Sequence, residues 1–297
     1  MIFAAEFISV VFHYYCRFWK DLLMQDISLT ELLEAGCHFG HKVTRWHPKA
    51  EAFIFQAREG VHIIDLVKTK QGLQKAAEFV FELGKGGKIL LFIGSKRQAK
   101  GVVAEAAKKA GLPYMTNRWI GGFITNWEEV KKNIDKMNKW RQERDTKVWD
   151  QYPKHEIVKM GKLLRKVESV YNGVENLTRI PDAIFIVDIN KEVAALREAI
   201  RRKVTTIAIV DTNANPVLVD YVIPANDDAV GSIQYLVNVL VSAYEEGRKV
   251  GQKAESKPKE EEKVKEVKKE AKKEPEAKPK KATKALKKSA KKKETKS

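Results

Sequence analysis

Apolar residues along this chain gather first into short, nearly continuous runs: KILLFIG at 88–94, AIFIVD at 183–188, TTIAIVD at 205–211 and YVIP at 221–224. Runs of strand length without polar alternation are what parallel strands covered on both faces look like, because neither face meets water. Between them apolar positions recur at helical steps, over about 96–110, 190–202 and 227–248. Strand and helix alternating in this way predict an open, mostly parallel α/β sheet flanked by helices. An earlier stretch, AFIFQAREGVHIID at 52–65, has two apolar runs around Arg58-Glu59-Gly60 and predicts a hairpin.

One segment breaks the alternation. Trp127, Val130, Ile134, Met137 and Trp140 recur at steps of three and four, and Ile157, Met160, Leu164, Val167, Tyr171 and Val174 do the same. Seams this narrow predict an inserted antiparallel coiled-coil hairpin over 127–177, with Pro153 breaking the helix near its turn. Two further helices covering the core are the plainer alternative. The α/β domain then comprises 24–126 and 178–250. Its opening carries a capping-box pattern, Ser28 followed by Glu31.

Both ends of the chain differ from this body. Residues 1–23 are apolar, but the run to Cys16 holds Glu6 and His13 and is shorter than the roughly 20 residues a spanning helix needs. Lacking a basic n-region and a clear cleavage site, they are expected to be a start-site extension ahead of Met24, with a peripheral anchor as the competing reading. Residues 251–297 have no aromatic residue and few aliphatic ones, the composition of a disordered lysine-rich tail.

Charge changes the picture of partners. The net charge is +17, and 19 of the 56 basic residues with 9 of the 39 acidic ones lie in 253–297, leaving +7 for 1–252. A polyanionic partner is expected. Two cysteines, Cys16 and Cys37, point to a reducing cytoplasm rather than a disulfide framework.

Candidate chemistry narrows further. The turn after KILLFI reads GSKRQAKG, which is neither a dinucleotide fingerprint nor a P-loop, so a small-molecule substrate or nucleotide cofactor is disfavoured. Asp188 and Asp211 end predicted strands. Asp188 suits a helix N-cap, and Asp211 opens the turn-forming run DTNANP. Lys96, Arg97 and Lys100 lie in the first turns of a helix, where the dipole disfavours cations, and with free amides they make a candidate phosphate-binding surface. In TNRWIGGFITNW, Arg118 precedes Trp119, which is expected in the core, and Gly121-Gly122 permits close backbone approach. The stretch HFGHKVTRWHP at 38–48 holds three histidines. Cys37, His38, His41 and His47 match no closed zinc spacing, whereas Arg45, Trp46, His47 and Lys49 form a cationic, aromatic loop suited to phosphate and ribose. Arg58, beside the hairpin turn, completes the set of candidate RNA contacts.

Four long stretches taken together, ELLEAGCHFGHKVTRWHPKAEAFIFQAREGVHIIDLVKT, ILLFIGSKRQAKGVVAEAAKKAGLPYMTNRWIGGFITNW, PDAIFIVDINKEVAALREAI and IAIVDTNANPVLVDYVIPANDDAVGSIQYLV, closely resemble the bacterial ribosomal small-subunit protein 2 family, in order from about Ile27 to Arg248. The resemblance implies a flavodoxin-like α/β domain with a coiled-coil arm and no catalytic activity; no cofactor or metal is expected, with a local metal site at Cys37, His38, His41 and His47 as the alternative. It implies a structural constituent of the cytoplasmic small subunit, bound to small-subunit ribosomal RNA near the head and body junction. Neighbouring ribosomal proteins would include the large messenger-binding one where the organism has it, and no membrane partner follows. Family motifs fall at His38–His41, Arg45–Pro48 and Arg118–Gly122. Cys37 and His47 depart from the family's usual small residue and asparagine, and the leader and tail lie outside its core. A peripheral RNA-binding scaffold outside the ribosome is the alternative.

Overall fold

The computed structural model describes residues 27–270, with side chains through Lys253. In chain order these form α1 (Leu29–Glu34), β1 (Phe39–Lys42), β2 (Ile54–Arg58), β3 (Val61–Ile64), α2 (Leu66–Lys85), β4 (Leu90–Ile93), α3 (Arg97–Ala110), β5 (Tyr114–Met115), α4 (Trp127–Asp145), α5 (Lys154–Tyr171), β6 (Ala183–Val187), α6 (Val193–Arg202), β7 (Thr205–Val210), β8 (Tyr221–Pro224) and α7 (Val230–Glu270). The chain divides into two compact units after Gln252. In the second unit residues 253–270 are helical, as a Glu- and Lys-rich stretch favours. The predicted leader over 1–23 and, of the predicted tail over 251–297, the residues from 271 onward lie outside the described residues.

All five main strands are parallel, in the order β5-β4-β6-β7-β8. Numbered along the chain this is 2-1-3-4-5, one of the two common doubly wound orders. The apolar runs owe their continuity to two cores. Leu90, Phe92, Ala183, Phe185, Val187, Ile207 and Ile209 face a cluster completed by α2, α3 and α7. Leu91, Ile93, Ile184, Ile186, Ala208 and Val210 face the other, completed by α6 and by Trp127, Val130, Ile134 and Met137 of α4. Successive strand residues point to opposite faces, so both parities must be apolar when both faces are covered.

The predicted hairpin is β2–β3, and β1 adds a third antiparallel strand on the far side of β3. The helical segment over 127–177 resolves into α4 and α5, with Pro153 at the N-cap of α5. Arg141 ties them together. Its Nε donates to Glu168 at 2.8 Å and its Nη2 to Asn172 at 2.6 Å, and Nη1 pairs with Glu175. Trp127, Leu164 and Tyr171 are buried in the second sheet core, while Trp140, Ile157 and Met160 pack against it from partly exposed positions.

Three local expectations are corrected. Ser28 does cap α1 by accepting from Thr30 N, but Glu31 accepts from the Tyr235 hydroxyl at 2.9 Å instead of closing a capping box. Asp188 does not cap α6. It sits at φ 68°, and its Oδ1 accepts from Asn190 N and Lys191 N in a turn ahead of the helix. A Cβ on Gly121 would meet open space, whereas Gly122 adopts φ 87°, so glycine is needed only at 122, for a left-handed turn rather than close approach.

Candidate nucleic-acid interface

In doubly wound sheets a ligand crevice opens at the carboxyl ends of the strands where the order reverses, here between β4 and β6. That crevice is filled by the protein's own side chains. Lys96, just after β4, brings Nζ to 2.8 Å from Asp227, 2.7 Å from Asp228 and 3.4 Å from Asp188. His41, reaching in from β1, puts Nδ1 at 3.0 Å from Asp211 and Nε2 at 3.6 Å from Asp228. The Ser95 hydroxyl donates to the buried Glu192 carboxylate, whose pKa burial raises.

Electrostatics in this cluster follow from crowding. Burial, with the neighbouring Asp188 and Asp211 charges, pushes Asp227 up to about 7, against the opposing pull of Lys96. The hydrogen bond to Asp211 raises His41 above its ordinary value. Burial alone would lower Lys96, but its bonds to Asp227 and Asp228 hold it well above the usual range. Among the described residues, His41, Asp227 and Asp228 form the group whose potential metal ligands lie within 4.8 Å of one another. The Lys96 ammonium already engages both of its carboxylates. Cys37, His38 and His47 do not join it: Cys37 lies in the first core, and His47 Nδ1 accepts from Lys49 N at 3.1 Å.

The HFGH stretch is a docking seam. Thr212, in the turn after β7, accepts from His41 N through Oγ1 at 2.9 Å and from His47 N through its carbonyl at 2.8 Å. A Cβ on Gly40 would lie 2.8 Å from Thr212 Cγ2, so only glycine lets β1 come this close. Held from below, the following loop turns Arg45 and Lys49 to solvent, with Trp46 37% exposed and its ring 5.7 Å from that of buried His62. His47 is half-buried, and Arg58 is exposed at the end of β2.

Lys96, whose position suggested a phosphate contact, is only 13% exposed, and its ammonium is engaged by Asp227, Asp228 and Asp188. Its neighbour Arg97 is exposed and Lys100 half-exposed. Asp228 touches both His41 and Lys96, which brings the loop after β1 beside the start of α3. Arg118 is exposed in the loop between β5 and α4, over the second core. None of Arg45, Lys49, Arg58, Arg97, Lys100 and Arg118 enters an ion pair among the described residues.

The sequence did not disclose Glu198. From α6 its carboxylate accepts from Trp119 Nε1 at 3.0 Å, Gly122 N at 2.7 Å, Ile124 N at 3.0 Å, and Thr125 N and Oγ1 at 3.3 Å. Burial works against its charge, yet these donors leave its pKa below the ordinary value. One side chain thus shapes the whole loop that carries Arg118, and Trp119 is core as expected. The partners lie more than 70 residues apart, so no local pattern could have paired them.

Comparison with known proteins agrees with this architecture. The profile of the family described as Ribosomal protein S2 matches residues 32–247. The chain is 42% identical to small ribosomal subunit protein uS2 of Synechococcus sp. (strain JA-3-3Ab) over 225 residues, 76% of this chain and 84% of the relative. It is 41% identical to small ribosomal subunit protein uS2c of Porphyra purpurea, covering 76% and 93% of the two chains. It is 42% identical to small ribosomal subunit protein uS2 of Coprothermobacter proteolyticus over 226 residues, 76% of this chain and 84% of the relative.

Proposed function

Because the chain belongs to the ribosomal protein S2 family, we propose that it works as a structural, non-enzymatic constituent of the small ribosomal subunit, binding ribosomal RNA and neighbouring ribosomal proteins. The observation that carries this is the contrast between a ligand crevice filled by Lys96 and His41 and a periphery of cations without acidic partners. A crevice whose charges are already paired internally leaves few groups free to hold a substrate. Unpaired guanidinium and ammonium groups are what a phosphate backbone uses.

Arg45, Trp46, His47, Lys49 and Arg58 form one RNA-facing patch, Arg97 and Lys100 a second at the head of α3, and Arg118 a third. Lys96 supports the second patch by anchoring the start of the helix rather than touching phosphate. The α4–α5 pair serves as a coiled-coil arm for docking. A surface for the large messenger-binding ribosomal protein is part of the same proposal. Among the described residues no helix is long and apolar enough to cross a membrane.

Sucrose-gradient sedimentation of a lysate at low and moderate salt, with intact-mass analysis of each fraction, tests this. Stoichiometric residence in small subunits at both salt concentrations is expected. Recovery only in light fractions would instead leave a peripheral RNA binder.

A further inference from the structure

We propose that a cavity at the amino-terminal end of the sheet, at the root of the α4–α5 pair, takes a single nucleotide extruded from ribosomal RNA, with the base inside and its phosphates on Lys108 and Arg248. This rests on the ribosomal reading above and deepens it by naming a site and the kind of nucleotide that fills it. The cavity measures about 390 Å³. That is the lower end of the roughly 300–1,000 Å³ typical of ligand pockets, room for one nucleotide and no more. Ile89 and Pro113, which immediately precede β4 and β5, line it, so it lies at the opposite end of the strands from the Lys96 crevice.

Three parts of the fold make its walls. Residues 172–177, returning from α5, sit directly on β5, because a Cβ on Gly173 would run into the Tyr114 carbonyl and only glycine allows this approach. α7 closes another side with Arg248 and with Tyr244, whose hydroxyl donates to Lys88 O at 2.7 Å. Buried Leu112, Val174 and Leu177 supply the apolar surface a ring needs.

Charge and hydrogen-bonding capacity select the occupant. Lys108 and Arg248 are exposed, and neither forms an ion pair among the described residues. The Lys108 Nζ lies 5.9 Å from the centre of the Tyr114 ring, and Arg248 gives only Nη1 to Ala110 O at 3.3 Å, which leaves its other donors for a ligand. Glu175, the one carboxylate lining the cavity, is already bound by Arg141. The rim also carries amides: Asn172 Oδ1 accepts from Arg141 Nη2 at 2.6 Å, leaving its amide hydrogens, and Asn176 makes no hydrogen bond among the described residues. An extruded nucleotide offers a flat face to the aliphatic wall, donors and acceptors along the base edge to the amides, and flanking phosphates to the two cations. An acidic peptide shares the charge match, so it enters the test as a competitor.

Full-length chain titrated with two end-labelled RNA hairpins, identical except that one carries a single bulged nucleotide in its stem, each of the four bases in turn, tests this. For at least one base the bulged hairpin is expected to bind on the order of 5- to 100-fold more tightly than the plain one. Asn176→Trp, which sets a bulky ring at the rim, should erase that preference and leave plain-hairpin binding within about twofold. Lys108→Gln and Arg248→Gln should each lower the salt slope of the bulged hairpin by about 0.7–0.9 and leave that of the plain hairpin unchanged. Equal binding of plain and bulged hairpins, or a preference that both Asn176→Trp and Lys108→Gln leave intact, overturns the proposal. Binding of free nucleoside monophosphates that Lys108→Gln abolishes, without any bulge preference, overturns the RNA source and assigns the cavity to free nucleotides. The same result with a short Glu- and Phe-containing peptide assigns it to a protein neighbour and overturns it too. Wild-type chain absent from small subunits would fail the ribosomal reading. Wild-type chain present there without a bulge preference fails the cavity alone.

Discussion

A lysine at the head of a helix opposes the helix dipole, and Lys96 tolerates that position because Asp227 and Asp228 lie 2.8 and 2.7 Å from its Nζ. Lys96→Met would leave the buried Asp227 carboxylate without its cation and is expected to lose about 3–5 kcal/mol in urea unfolding near neutral pH. The same cluster sets a pH dependence. Asp227 titrates at about 7 in the folded chain against an ordinary 3.8, so its contribution is fully present below the lower value and lost as pH rises through the higher. His41, raised above 6.5 by Asp211, also contributes below its ordinary value and loses that contribution as pH rises through its folded one. Stability should therefore fall between about pH 4 and 7 on account of Asp227, with His41 adding to the fall from about pH 6.5 upward. Asp227→Asn should flatten the Asp227 part of that slope in a series of urea midpoints. None of this was visible at Lys96 in the sequence, where the residues that neutralise it stand more than 90 positions away.

Elements differ in how plainly the chain announces them. The strands β4, β6, β7 and β8 fall where the apolar runs predicted, because burial on both faces forces every position to be apolar. β1 is the opposite case, since Gly40, His41 and Lys42 have no strand signature, suggest only a loop, and become a strand by pairing with β3. β5 has two residues, too few for any pattern. α6 shows what an element can do beyond packing, because it delivers Glu198 to the loop around Gly122. Glu198→Ala should leave the amides of Gly122, Ile124 and Thr125 without their acceptor, at a cost of about 2–4 kcal/mol. Hydrogen exchange at those amides should quicken well beyond that at β4, and Glu198→Gln should retain part of the protection.

For the whole molecule the relevant quantity is the charge left over after internal pairing. Arg97 and Lys100 remain unpaired beside a neutralised Lys96, and Arg45 and Lys49 sit in the adjoining loop. Charge reversal of Arg97 and Lys100 together should weaken association with ribosomal RNA and lower its log–log salt slope by about 0.7–0.9 for each phosphate no longer neutralised. Reversing Lys96 should instead act first on stability, which separates the two roles in paired binding and unfolding measurements. The long second core adds a constraint of the same scale. Met137 and Leu164 are buried with the sheet strands, so α4 and α5 rest on the domain as well as on each other.

By itself the sequence determined the parallel sheet, the interrupting helical segment, the excess of positive charge and, through its long motifs, the family. Each of these depends on residue type and spacing along the chain, which burial and helical periodicity translate directly into structure. Only the tertiary structure decided which cations are free and which are consumed. It also decided that His41 pairs with Asp211 in the crevice, that Glu198 builds the Arg118 loop, and that Phe39 shares a face with Lys42 and Arg58. Those properties depend on partners distant in the chain, and a charge or a ring has no fixed use until folding has placed its neighbours.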